Sequence, residues 1–598
     1  MYHAQAGAVK GGLGAAGRYH WRAQATTEAQ SIDGVGPMRA AIRVRRRTLA
    51  IAGTVAIAVV VAVTATGFGL GYFGGSAMST AAGGTPHFVE QTAGSGLSHT
   101  YSGGDAYLLG GGMAVLDCNG DGRPDVFLAG GGNLAALYRN DTPMGGKTLS
   151  FTRIPDAATD LAGVEGAYPI DIDGDGNVDL AVLRLGETEL LRGLGGCRFE
   201  KANAAWQFDG GNDQTMAFSA KWEGSNALPT LAIGHFLKLD ATGNPTRDCA
   251  DSELVRPKSD GTAFDRPIAL SPGYCTLSML FSDWDLSGRR DLRVESDRNY
   301  YRGGQDQLWR VAPGEAPRAY SSADGWGSLE IFGMGIAEYD VNGDGYPDYY
   351  LTSQGDNRLQ ALAAGPNQPH YGDIALKRGV TATRPDSGGQ DLPSTSWHPE
   401  FEDVNNDGLI DLFVSKGNIY EQQDFATKDP SDLFLGQPDG SFVQQAEAAG
   451  IVEYDRGRGA ALADFNMDGL LDLIEVHLDA PVRVWLNAGS GTSGQPEQMG
   501  HWLAVQPVQT GPNVDAIGAW IEVKIGDVTL RRELTIGGGH VSGQLGWTHF
   551  GLGSASSAQV RVRWPDGQTG PWMLVQADQF AYLDRGASSP RTWSPGKP

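Results

Sequence analysis

From residue 87 onward the apolar residues fall in short runs, LAVL at 180–183, TLAIG at 230–234 and DLFV at 411–414 among them, bounded by Gly, Pro, Asn and Asp. The 3.6-residue rhythm of an amphipathic helix is missing, so these runs predict strands joined by turns. One stretch breaks the pattern. Residues 48–73, TLAIAGTVAIAVVVAVTATGFGLGYF, carry no charge and are long enough to cross a bilayer as a helix.

Between pairs of strands an acidic turn recurs. In DIDGDGNVD at 171–179, Asp171, Asp173 and Asp175 stand at positions 1, 3 and 5, Gly176 at 6, Asn177 at 7 and Asp179 at 9. The same frame holds Asp117, Asn119, Asp121, Arg123 and Asp125, then Asp283, Asp285, Ser287, Arg289 and Asp291. It returns as Asp340, Asn342, Asp344, Tyr346 and Asp348, as Asp403, Asn405, Asp407, Leu409 and Asp411, and as Asp464, Asn466, Asp468, Leu470 and Asp472.

This spacing suits a hard cation. Calcium takes six to eight oxygen ligands, and side chains at alternate positions of a curled loop converge on one point, with position 7 offering its carbonyl. The frame predicts up to six calcium ions, one per acidic loop, with the residues named at positions 1, 3, 5, 7 and 9, thirty in all, as ligands. A single Asp-Gly turn is more often a plain polar turn, but the recurrence outweighs that reading. Asp464 to Glu475 also matches the EF-hand spacing; an apolar residue stands at the position of Glu475 in the other five loops, and the flanks are strand-like, so that reading is rejected.

The loops begin at 117, 171, 283, 340, 403 and 464, and the gap of 112 residues between the second and third is twice the usual spacing. The stretch 216–234 fills it with the strands but without the acids, placing Lys221, Glu223 and Ser225 in the ligand places. Seven units of about 55 to 60 residues, too small to bury their faces alone, predict radial repetition, a seven-bladed β-propeller. HFVEQTAGSGL at the start matches the outer line FVQQAEAAGI of a later unit, so the N-terminal strand is expected to complete the last blade.

The formal net charge of −24 argues against nucleic acid as a partner. Nineteen of the 70 acids lie in the six loops. Lys and Arg cluster before residue 48, which by the positive-inside rule puts the N-terminus in the cytoplasm and the rest outside. A cleaved signal peptide is the alternative, giving a secreted chain, and Met38 is an alternative start. Extracellular modules bind calcium at levels met outside cells, in agreement with that topology. Cys249 and Cys275 are placed to close a loop; Cys118 and Cys197 have no evident partner in the sequence.

These loops with their strands resemble the FG-GAP or VCBS-type repeats of integrin-like propellers. AIGAWIEV, HFGLG and VRVRWPDG in the last hundred residues resemble the ASPIC/UnbV module that follows the propeller in the cartilage acidic protein family and its bacterial relatives. The sequence departs from that family at Val514, Trp520 and Gly543. The expected organisation is a basic cytoplasmic segment at 1–47, a transmembrane helix at 48–73, a linker at 74–86, the propeller at 87–490, a small antiparallel β domain at 500–585 and a tail at 586–598, all-β apart from the anchor.

Catalytic signatures are missing: the 11 His are scattered, and no HExxH, GxSxG or P-loop occurs. Trp397 and His398 are read as a packed pair at a strand end that faces the channel at most. The residues 238–274 read as the longest insertion and a partner-contacting surface. The resulting expectation is a membrane-anchored, extracytoplasmic, calcium-binding adhesion module for a protein or glycan. The competing reading is an enzyme working on a polysaccharide in the propeller channel, or an envelope scaffold.

Overall fold

In the computed structural model, residues 84–297, 304–381, 394–419, 428–490 and 499–594 are described. The expected cytoplasmic segment and membrane helix, at 1–47 and 48–73, lie outside them, as does almost all of the expected 74–86 linker. Among the described residues no helix is long and apolar enough to cross a membrane.

Seven sheets, each with a core of four antiparallel strands, follow one another. Blade 1 is Met113–Leu116, Asp125–Leu128, Ala136–Asn140 and Phe151–Ile154; blade 2 is Ala162–Ile170, Asp179–Arg184, Glu189–Gly193 and Phe199–Lys201. The first strands of blades 3 to 7 are Thr215–Lys221, Thr276–Ser282, Gly333–Tyr339, Ser396–Glu402 and Arg456–Ala463. Each first strand neighbours the next, and that of blade 7 returns to Met113–Leu116, so the ring closes. Closure is completed by Pro86–Glu90, which pairs antiparallel with Arg483–Ser490 as the outer strand of blade 7. The result is an all-β, propeller-like fold, with strands buried on both faces because each sheet is covered by its neighbours.

Two readings of blade 3 are corrected. Its first two strands pair Lys221 with Thr230, the register that elsewhere pairs Ile170 with Asp179. Position 1 is therefore Trp222, followed by Gly224, Asn226 and Thr230 at positions 3, 5 and 9, one residue on from Lys221, Glu223 and Ser225. The charged residues hid a register that Pro229, at the place of Pro124 in blade 1, marks. Much of 238–274 is also no insertion: Ser252–Val255 and Ile268–Leu270 are the outer strands of blade 3, and only the hairpin Leu237–Leu239 with Pro245–Cys249 is additional. Disulfides join Cys249 to Cys275 and Cys118 to Cys197.

The C-terminal module is two four-stranded sheets around Leu503, Val505, Ile521, Val523, Phe550 and Val560. It was expected to be antiparallel, but His501–Val508 runs parallel to Gln579–Asp584, the long intervening chain making that crossover possible. Nor is it a separate bead on a linker. Its segment between Val528–Glu533 and Thr548–Gly553 leaves the module and enters the ring, where Gly543–Gln544 adds a parallel strand to blade 1.

Candidate metal centre and the docked module

The six acidic loops share one hydrogen-bonding plan. The glycine at position 6 has φ between 82° and 92° in all six, a left-handed conformation that glycine adopts without penalty. That turn aims its N–H at the carboxylate of position 1: Gly122 to Asp117 at 2.6 Å, Gly176 to Asp171 at 2.9 Å, Gly345 to Asp340 at 2.8 Å, Gly408 to Asp403 at 2.8 Å and Gly469 to Asp464 at 2.7 Å. Gly288 does the same to Asp283 at 2.9 Å. The N–H of position 7 donates to position 5, as Asn177 to Asp175 at 2.8 Å, Tyr346 to Asp344 at 2.9 Å and Leu409 to Asp407 at 2.8 Å. Arg123, Leu470 and Arg289 repeat this bond to Asp121, Asp468 and Ser287.

Position 9 opens the second strand and is buried. Asp125, Asp179, Asp291, Asp348, Asp411 and Asp472 are at most 1% exposed. Burial pushes the carboxyls of Asp179 and Asp348 up to about 8, and those of Asp171, Asp340 and Asp407 up to about 6. Burial, then like charge nearby, raises Asp403, Asp464 and Asp472 well above the ordinary range. In blade 2 one oxygen each of Asp171, Asp173 and Asp179 lies within 4.8 Å of the others. Asn119, Asn342, Asn405 and Asn466 supply amide oxygens at position 3; those of Asn342 and Asn466 accept the N–H of Asp344 and Asp468. Hard oxygen donors gathered around buried negative charge are the donor set that suits calcium, and with its two charges the ion would offset the repulsion these loops hold.

What the sequence did not reveal is where the loops point. Every acidic loop meets the C-terminal module. The indole of Trp547 donates to the Gly122 carbonyl at 2.9 Å, and Pro512 packs on Gly174. Arg563 donates to Leu286 O at 2.9 Å, and Asp283 N donates to Glu533 at 2.9 Å. The Arg531 charge acts on Asp340, Gly553 N donates to Asn406 O at 2.9 Å, and Trp502 packs over Gly469. Between the ring and the module lies a cavity of about 420 Å³ whose lining includes Glu338, Glu402, Trp520 and Gln544.

The inserted segment threads the middle of the ring. Gly538 N donates to Met279 O at 2.7 Å and Gly539 N to Ile336 O at 2.7 Å, while Leu545 N donates to Val115 O at 3.0 Å. Tyr168 OH donates to Gly538 O at 2.8 Å. His540, fully buried, contacts Leu109 O at 2.6 Å and Met334 O at 3.1 Å through its ring, and its main-chain N–H donates to His398 Nδ1 at 3.1 Å. Trp397, also fully buried, packs against His540 and lies under Arg458, so the pair at 397–398 does face the axis. Arg458 donates to Leu108 O at 3.0 Å and Gly457 O at 2.7 Å; burial lowers it to about 9. Glu475, the rejected EF-hand ligand, instead accepts the hydroxyls of Ser415 at 2.5 Å and Ser431 at 2.6 Å. The run GGGH at 537–540 was the available signal for this plug, since only glycines let a backbone approach inner strands so closely.

With repeated loops on a closed ring and a β module seated on them, comparison with known proteins agrees. The model of the FG-GAP-like repeat matches residues 117–182 and 403–475, and that described as ASPIC and UnbV matches 509–590. The chain carries FG-GAP-like repeats and an ASPIC/UnbV domain. It is 27% identical over 270 residues to cartilage acidic protein 1 of Xenopus tropicalis, covering 44% of this chain and 38% of the relative. To the same protein of Mus musculus it is 27% identical over 245 residues, covering 40% of this chain and 34% of the relative. The match thus spans about a third of the curated relatives' length. Among solved structures, BBS1N in complex with ARL6DN aligns at 11% identity and a TM-score of 0.38, covering 67% of this chain and 97% of that chain.

Proposed function

We propose that the protein is an extracytoplasmic, calcium-dependent binding module of the adhesion type, held at a membrane by residues 48–73, with a protein or glycan as its partner. The observation that carries the reading is the sixfold recurrence of one loop conformation whose acids are buried in excess of what the main chain satisfies. The FG-GAP-like repeats and the ASPIC/UnbV domain support a binding role of the integrin-like kind. The long uncharged stretch and the basic cluster before it support the anchor and its orientation. Calcium at extracellular concentrations would stabilise the loops by mass action.

The partner's site is to be sought away from the loops, because they are engaged by the chain's own module. The hairpin of Leu237–Leu239 and Pro245–Cys249 leaves blade 3 at the strand ends opposite the loops and presents exposed Arg247 and Asp248. The enzyme reading loses support from the plug: residues 536–545 run along the axis where a substrate would have to sit. Capture of extracytoplasmic proteins and a glycan array by the full chain in detergent, in millimolar calcium against EGTA, tests the proposal. Calcium-dependent enrichment is expected; no enrichment in either condition overturns it.

A further inference from the structure

The loop of blade 4 keeps the spacing of the others but meets its charge differently. In blades 1, 2, 6 and 7 the buried aspartate at position 9 accepts one main-chain N–H on each oxygen: Cys118 and Asn140 to Asp125, Ile172 and Gly193 to Asp179, Val404 and Gly436 to Asp411, Phe465 and Asn487 to Asp472. Asp348 of blade 5 accepts the N–H of Val341 and of Asn342 and the Asn342 amide. A carboxylate has about four lone-pair sites, so each of these keeps capacity for an ion.

Asp291 keeps none. Its Oδ1 accepts Val311 N at 3.1 Å and Arg289 Nε at 2.9 Å; its Oδ2 accepts Arg289 Nη2 at 2.9 Å, Trp284 Nε1 at 3.0 Å and Tyr320 OH at 2.7 Å. Arg289 also reaches Asp285 Oδ2 at 3.3 Å, bridging positions 3 and 9, and Arg563 of the module stands 3.6 Å from Asp283 Oδ2. Every acid of this loop faces a guanidinium. A planar, permanently charged group making a bidentate contact is a good substitute for an ion between carboxylates.

Arginines near three other loops do not do this: Arg531, whose charge acts on Asp340 in blade 5, is paired with Glu522 Oε1 at 3.1 Å. Arg123 holds position 7 in blade 1, where its charge acts on Asp141. Arg192 touches Asp173 at 2.7 Å and Asp175 at 3.0 Å from a side chain 39% exposed, and the oxygens of Asp171, Asp173 and Asp179 still gather within 4.8 Å. Blade 3, next to blade 4, has no acids at its ligand positions and sends the Lys221 ammonium to Arg290 O at 2.7 Å and Val311 O at 2.6 Å.

We propose that the blade 4 loop takes no cation because Arg289 stands in the ion's place, leaving five calcium sites in the contiguous blades 5, 6, 7, 1 and 2 and an ion-independent sector in blades 3 and 4. The inference rests on the calcium reading above. Its test is the ion count by elemental mass spectrometry of the full chain, stripped with chelator, reloaded and desalted. The unaltered chain is expected to hold five ions. Arg289→Asn with Ser287→Asp, which gives this loop the side chains of blade 2, is expected to hold one more. Six ions in the unaltered chain, or no increment in the variant, overturns the inference; no ions in either removes the calcium reading itself. Should the variant fail to fold, hydrogen exchange on the unaltered chain decides: EGTA should raise exchange of 340–348 and 403–411 by about tenfold or more while leaving 283–291 within about twofold. An equal rise in 283–291 overturns the inference.

Discussion

The imidazole of His540 packs on the indole of Trp397 with ring centres 5.0 Å apart, so a residue of the C-terminal module forms part of the core at the centre of the ring. Its contacts reach Leu109 of the chain entering blade 1, Met334 of blade 5 and His398 of blade 6. One residue thus ties three blades together. His540→Ala removes a buried ring and leaves polar groups unpaired, and a loss of roughly 2–4 kcal/mol is expected in urea unfolding. Trp397 fluorescence should report the change before the rest of the ring unfolds.

The same residue gives the docked state an acid limit. Burial holds His540 down to about 4 against two carbonyl contacts that favour its charged form, with Arg458 and His398 adding to the depression. A histidine neutral in the folded state and titrating near 6.5 when released contributes stability above pH 6.5, lost as pH falls toward 4. Residues 536–545 should therefore become protease-sensitive between about pH 6 and pH 4. His540→Gln should flatten that dependence; an unchanged profile in this variant assigns the effect elsewhere.

Because the acidic loops and the module share an interface, ion binding and docking are linked, and whatever orders the loops favours the seated module. EGTA should lower the melting temperature and expose cleavage sites both in the loops of blades 1, 2, 5, 6 and 7 and in 536–545. A module that stays protected while the loops become labile would show that the two are independent.

Much of this was legible because it is periodic. A loop repeated with one spacing reveals strands, unit length and ring closure, and even the acid-free blade 3 announced itself as a gap. The register of that blade lies one residue on from the expected one, because the strand pairing follows Pro229 and Thr230 and not the charged Lys221 and Glu223. What periodicity cannot carry is a contact made once. The plug, the seating of the module on the loops and the Arg289 bridge each depend on residues brought together from distant parts of the chain, with Tyr168 bonding to Gly538 across 370 positions. The Cys118–Cys197 pairing escaped for the same reason.

That disulfide fastens position 2 of the blade 1 loop to the turn after Glu189–Gly193 in blade 2, across a sequence separation of 79 residues. Cys197 N also donates to Cys118 O at 2.8 Å, so the crosslink holds two neighbouring blades in contact beside Asp125. Closing a loop of this length removes unfolded-state entropy worth roughly 4 kcal/mol in the chain-entropy model. Cys118→Ser together with Cys197→Ser should lower stability by an amount of that order. The unaltered chain should show the same loss under a reducing dithiol if only this disulfide opens, and a larger one if Cys249–Cys275 opens as well.

The close approach of the plug depends on glycines in the inner strands. A Cβ on Gly166 in blade 2, or on Gly112 before blade 1, would meet the Val541 carbonyl oxygen. Neither glycine has the positive φ that resists a side chain, so the strands themselves would accept alanine, which ordinarily stabilises by stiffening the unfolded chain. Here the clash with Val541 should win. Gly166→Ala is expected to cost about 1–3 kcal/mol as overpacking and to free residues 536–545 to proteolysis at neutral pH in saturating calcium. In saturating calcium the ion count of the blades should stay as in the parent, because every ligand remains and only the affinity is linked to docking. If Gly166→Ala leaves both stability and protection unchanged, the plug does not hold the module in solution as it does in the structure.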